Sequence, residues 1–216
     1  PALLFFQRQR KMPFYLTEIN AGAGLNLAAD AAQPQKGFDP NLVAARIGLD
    51  PEPLNLPDIM QRRWLTAAIP PDNLPAILEM DRTADIVLEK LSRDVNFIQL
   101  AACAPEVSPC FIAKNIPADD PEVGLLILNM GTTVRMTDPE YEAFEAAMAE
   151  TLRPWGDRGL WVEVESVRGE QYSTTYQLRT HRLIGGVLRR HTLLSLDFGA
   201  AKTDVNMDEA AKFLAV

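Results

Sequence analysis

Val123-Gly124-Leu125-Leu126-Ile127-Leu128-Asn129-Met130 is a nearly unbroken apolar run, followed shortly by Thr137-Asp138-Pro139-Glu140. A short run of this kind, bounded by turn residues, reads as a strand buried on both faces. Thr137 then supplies a helix cap, Pro139 fits the first turn, and Asp138 and Glu140 face the positive end of the helix dipole. Tyr141, Phe144, Met148 and Leu152 give that helix one apolar stripe, which Pro154-Trp155-Gly156 ends. Leu160, Val162 and Val164 alternate with Trp161, Glu163 and Glu165, the period of a half-buried strand. Residues 123–167 therefore predict a strand–helix–strand unit.

Working outward, Tyr172, Thr174, Tyr176 and Leu178 alternate with polar residues and predict a further strand. Gly185-Gly186 marks a hairpin turn, and Leu194, Leu196 and Phe198 share one face of the strand beyond it. Asp208 is placed to cap a terminal helix. Toward the N-terminus, Phe14 to Ile19 predicts a strand and residues 20–37 a loop. Asp39-Pro40 opens a helix that Gly48 stops. Asp58 caps a short helix running through Trp64 to Ile69. A longer helix from about Arg82 carries Val87, Leu91, Val95, Ile98 and Ala102 on one stripe. Helices early and strands late predict an α+β fold, with a helical N-terminal half packed on a C-terminal antiparallel or mixed sheet. The proline-rich stretch near 104–121 divides a mainly helical region, 1–104, from an α+β region, 105–216, within one continuous globular unit.

The 216 residues are 47% hydrophobic and 23% charged, ordinary globular composition. The net charge of −8 argues against a general nucleic-acid-binding surface. No apolar run reaches the roughly 18 residues of a membrane span. Two cysteines, Cys103 and Cys110, are too few for a disulfide framework. The apolar N-terminus precedes Arg8, Arg10 and Lys11, the reverse of a secretory signal, so a cytoplasmic protein is expected. Arginine outnumbers lysine 15 to 6, compatible with a bacterial source. Charge is segregated: residues 101–170 carry a net −8, whereas Arg179, Arg182, Arg189 and Arg190 lie in a stretch without an acid.

Local motifs offer little chemistry. His191, Ser195 and Asp197 supply the residue types of a hydrolase triad, but four residues of strand separate His191 from Ser195 by roughly 13 Å. Cys103, Cys110, His181 and His191 have spacings unlike a zinc site, and no metal or cofactor is expected. Gly22-Ala23-Gly24 lacks the third glycine of a dinucleotide fingerprint, and Gly131-Thr132-Thr133 has no adjoining lysine. Pro1 offers a secondary amine only if it is a mature terminus. Glu163 and Glu165 share a strand face about 7 Å apart, a separation that can serve acid–base work, though working pairs usually come from different elements and an ordinary exposed strand is the preferred explanation. The arginines suit directed contacts with an acidic surface, and the plain alternative is a solvated hairpin edge. The expected function is a non-enzymatic protein-binding or assembly component, docking a protein partner or a second copy through Arg179, Arg182, Arg189 and Arg190. The alternative is a small-molecule enzyme with a composite acid–base site drawn from Glu163, Glu165, His181 and His191.

Overall fold

Burial of the apolar runs builds one eight-stranded sheet, seen in a computed structural model that describes residues 2–67, 69–167, 175–197 and 202–214. In chain order the elements begin with α1 (Ala2–Arg10), β1 (Phe14–Ile19), α2 (Ala29–Ala32) and β2 (Val43–Asp50). Next come α3 (Ile59–Ala67), α4 (Leu74–Arg93), β3 (Gln99–Ala102) and α5 (Ser108–Asn115). After these follow β4 (Gly124–Met130), α6 (Asp138–Leu152) and β5 (Gly159–Ser166). The chain closes with β6 (Thr175–Ile184), β7 (Val187–Asp197), β8 (Lys202–Val205) and α7 (Met207–Leu214).

The sheet order is β3-β2-β1-β4-β5-β6-β7-β8. The first five of these strands run parallel, and β6, β7 and β8 extend the sheet by antiparallel pairing. Parallel neighbours need crossovers, and the crossover helices cover both faces. One core packs Leu3 and Phe6 of α1, Ala84 and Val87 of α4 and Phe213 of α7 against Leu16, Leu126 and Val162. The other packs Ile112 of α5 and Phe144, Met148 and Leu152 of α6 against Ile19, Ile127 and Trp161. The class is α+β. No described helix is long and apolar enough to cross a membrane.

The strand–helix–strand unit forms where the sequence places it, with Thr137 and Glu140 making a reciprocal capping box on α6. Several parts of the chain differ from expectation. The N-terminal half is not helical alone, because β1, β2 and β3 enter the same sheet as the later strands. Asp39-Pro40 starts only a single 3-10 turn, Pro40–Leu42, and β2 follows. Gly48 lies within β2, where a Cβ would stand 2.5 Å from Leu100 Cδ2; the glycine serves close packing and does not stop a helix. The long helix ends at Arg93, where Asp94 accepts the Asn96 amide at 2.9 Å. Val95 is consequently 79% exposed, and Ile98 is buried just ahead of β3. The helix expected from Asp208 is α7, but the side chain that accepts a first-turn amide is that of Asn206. Pro1, residues 172–174 and Phe198 lie outside the described residues.

Candidate functional site

Strand order reverses at β1. The chain steps outward from β1 through β2 to β3, then returns to lay β4 on the other side of β1. Open sheets bind ligands beyond the carboxyl ends of their strands at such a reversal, which here is where the loops leaving β1 and β4 begin. The β1 loop is a tight turn in which Asn20, Gly22 and Gly24 have φ of 64°, 56° and 72°. A Cβ on Gly24 would stand 3.0 Å from Ile98 Cγ2, so both conformation and space ask for glycine there.

Two carboxylates flank this turn. Asp50, at the end of β2, accepts the Gly22 amide at 2.7 Å. Glu18, near the end of β1, is buried and accepts Asn26 Nδ2 at 2.6 Å through Oε1, while Oε2 has no protein partner. Burial drives the Glu18 pKa up to about 7; the Asn26 hydrogen bond opposes the shift and the charge of Asp50 adds to it. Beside the turn lies a cleft of about 470 Å³ lined by Ala23, Leu54, Leu56, Leu91, Ile98 and Leu100. A larger cleft of about 660 Å³ borders the N-terminal half of β2, away from the strand ends.

On the opposite face, under α6, a second group of polar side chains converges. Register places Glu163 between Asn129 of β4 and Arg179 of β6, and sets Trp161 beside His181. Glu163 Oε1 lies 3.0 Å from His181 Nε2, 3.0 Å from Arg179 Nε and 3.3 Å from the Tyr141 hydroxyl that donates to it. Glu165 Oε1 accepts Asn129 Nδ2 and the Thr132 amide, both at 2.7 Å, and the Thr133 amide at 2.9 Å. Trp161 stacks on His181 at 3.9 Å and donates its indole N–H to Asn129. The two sites touch through Thr132, whose hydroxyl donates to the Ile19 carbonyl at 3.3 Å.

The two carboxyls are pushed apart in acidity. Burial raises the pKa of Glu165, only partly offset by the Thr133, Thr132 and Asn129 bonds. Burial acts the same way on Glu163, but His181, Arg179 and Tyr141 together outweigh it and hold that carboxyl below its ordinary value. Tyr141 is driven up to about 12 by burial and then by the Glu163 charge. Carboxyl pairs split in this way are how one site holds an acid and a base at the same pH. Unpaired buried polar groups cost about 1–3 kcal/mol each, so such a set asks for a compensating role.

Glu163, Glu165 and His181 are thus brought together, but not on an exposed strand: all three are fully buried. His191 is left out. It lies on the opposite face with Nδ1 3.0 Å from Glu209 Oε2 and its ring against Phe213 of α7. The four arginines do not form one surface. Arg179 is buried against Glu163, and Arg182 is buried over the Phe213 ring, 4.7 Å away; only Arg189 and Arg190 face solvent. The Thr132 and Thr133 amides, in the Gly131-Thr132-Thr133 loop after β4, are taken by Glu165. Glu18 and Asp50 were missed. The available signal was a strand running directly into Gly22-Ala23-Gly24, and reading 39–48 as helix hid Asp50 as a strand-end acid.

Among solved structures, the chain is similar to the X-ray structure of the sugar N-methyltransferase KedS8 from Streptoalloteichus sp ATCC 53650, at 13% identity and a TM-score of 0.40 over 98% of this chain and 74% of that one. That likeness is too faint to carry an argument about activity. No curated protein matches the chain. The family described as "Uncharacterized protein conserved in bacteria (DUF2332)" matches residues 31–201, and the chain belongs to that family.

Proposed function

We propose that the chain is a small-molecule enzyme that binds a nucleoside-bearing cofactor in the crevice at the ends of β1, β2 and β4. One observation carries this reading: the reversal of strand order falls where the Gly22–Gly24 turn meets the carboxylates of Glu18 and Asp50. Open parallel sheets bind ligands at such points, and a strand-end acid beside the glycine turn suits the hydroxyls of a ribose. The neighbouring apolar cleft has room for a flat base.

The charge at the turn narrows the class. A dinucleotide would bring its pyrophosphate against Glu18 and Asp50, and like charges repel at that range. The following helix, α2, spans only Ala29–Ala32 and offers little dipole to hold a phosphate. The crevice suits a nucleoside with a neutral or cationic substituent, such as an adenosyl sulfonium. A docking role for the arginine segment has less to draw on, with two of its four arginines turned inward.

Calorimetric titration of S-adenosylmethionine, adenosine, NAD and ATP tests this. The sulfonium should bind tightest and the phosphate-bearing ligands weakest, and Asp50→Asn should weaken sulfonium binding about tenfold or more, the range of a charged hydrogen bond. Tighter binding of NAD or ATP, or no binding by any of the four, would overturn the proposal.

A further inference from the structure

The cluster under α6 contains groups the nucleoside crevice does not use. Glu163 Oε1 accepts the Tyr141 hydroxyl and faces His181 Nε2 and the Arg179 guanidinium, Glu165 Oε1 accepts three donors, and each carboxylate leaves a buried Oε2 with no protein donor. Arg179 Nε and Nη2 and His181 Nδ1 are buried beside them without hydrogen-bond partners. Five such atoms on adjoining strands amount to two acceptors, two donors, and one imidazole nitrogen that can be either. Folded proteins pair buried polar atoms almost without exception, so a concentration of this kind marks a place where a ligand completes the set.

We propose that this cluster binds a small amino alcohol, with the amine facing Glu163 Oε2 and Glu165 Oε2 and the hydroxyl oxygen facing Arg179 Nη2. The bare carboxylate oxygens ask for N–H groups and the bare guanidinium nitrogens for an oxygen acceptor, which selects a ligand carrying an amine and a hydroxyl. Glu163, tied to Arg179 and His181, is placed to hold or take the amine proton, and Glu165 to hold its own. The charged and titratable groups packed around the pair are Tyr141 and Glu145 of α6, Arg179 and His181 of β6 and Arg190 of β7. Glu145 lies 3.8 Å from both His181 Nδ1 and Arg190 Nη1. With side chains 33% and 50% exposed, Glu145 and Arg190 form the side open to solvent. The proposal deepens the enzyme reading by naming the class of the second ligand, and it stands on residues separate from the crevice.

The test is titration of ethanolamine, with acetate as the control, followed by the NMR signals of the His181 ring nitrogens. Ethanolamine should shift them saturably and acetate should not. Glu165→Gln should weaken the response at least tenfold, and Glu163→Gln should abolish it. Should Glu163→Gln fail to fold, Glu165→Gln alone decides. No saturable shift, an equal response to acetate, or an unchanged response in Glu165→Gln would overturn the proposal. Asp50→Asn separates the two readings: it should weaken sulfonium binding and leave the ethanolamine response intact. An ethanolamine response without nucleoside binding would sink the crevice reading alone, and the reverse result would sink this one alone.

Discussion

Glu18 shows how much one buried carboxyl can set. Its pKa rises from 4.5 to about 7, so the folded state holds a proton that the unfolded chain releases in between. Its contribution is therefore fully present below about pH 4.5 and is lost as pH rises toward 7. Glu18→Gln should remove that slope and gain on the wild type by about 3 kcal/mol between pH 5 and pH 8, as urea denaturation at the two pH values would read. Equal slopes in the two proteins would mean that Glu18 is ionised throughout. Ligand binding should follow the same titration. Affinity for the sulfonium should increase from pH 6 to 8 as Glu18 gains charge, while affinity for adenosine should not. Glu163 and Glu165 teach a related lesson. Their alternation with Val162 and Val164 reads as an exposed polar face, because nothing within five residues of them announces Tyr141, Arg179 or Asn129 as partners.

Elements whose determinants are local were legible. The box of Thr137 and Glu140, the stripe of Phe144 and Met148 and the stop at Trp155-Gly156 all lie within one helix and its ends, and α6 forms accordingly. Phe144→Ala should cost about 3–5 kcal/mol, since the ring is buried and packs edge-on against Trp161 at 5.8 Å. A midpoint of urea denaturation close to wild type would mean that α6 does not seal this core. Where the local signal conflicted with packing, packing won. Asp39-Pro40 carries a genuine helix start, but β2 pairs with parallel neighbours on both sides and buries Leu49 and the Arg46–Asp30 ion pair, and that outweighs one cap. The stripe from Val87 continued past Arg93 only by coincidence of spacing, since Asp94 turns the chain and Ile98 is buried from a different element.

Across the whole molecule, the arginines divide by location and not by sequence. Removing Arg179 leaves the buried Glu163 carboxylate without its cation, so Arg179→Ala should destabilise by about 3–5 kcal/mol. Reversing Arg189 and Arg190 together to glutamate should leave the thermal midpoint nearly unchanged, because both face solvent. A scan showing the opposite ranking would contradict the burial of Arg179. The sequence by itself determined the α+β class, the strand–helix–strand unit and the hairpin at Gly185-Gly186. Caps, periods and turns act between residues a few positions apart, and each is written where it operates. Only the tertiary structure decided that the early strands share one sheet with the late ones, that order reverses at β1, and that Glu163 meets Tyr141, Arg179 and His181. These outcomes come from burial of apolar surface between segments far apart in the chain, and that energy depends on which faces meet, which no local pattern specifies.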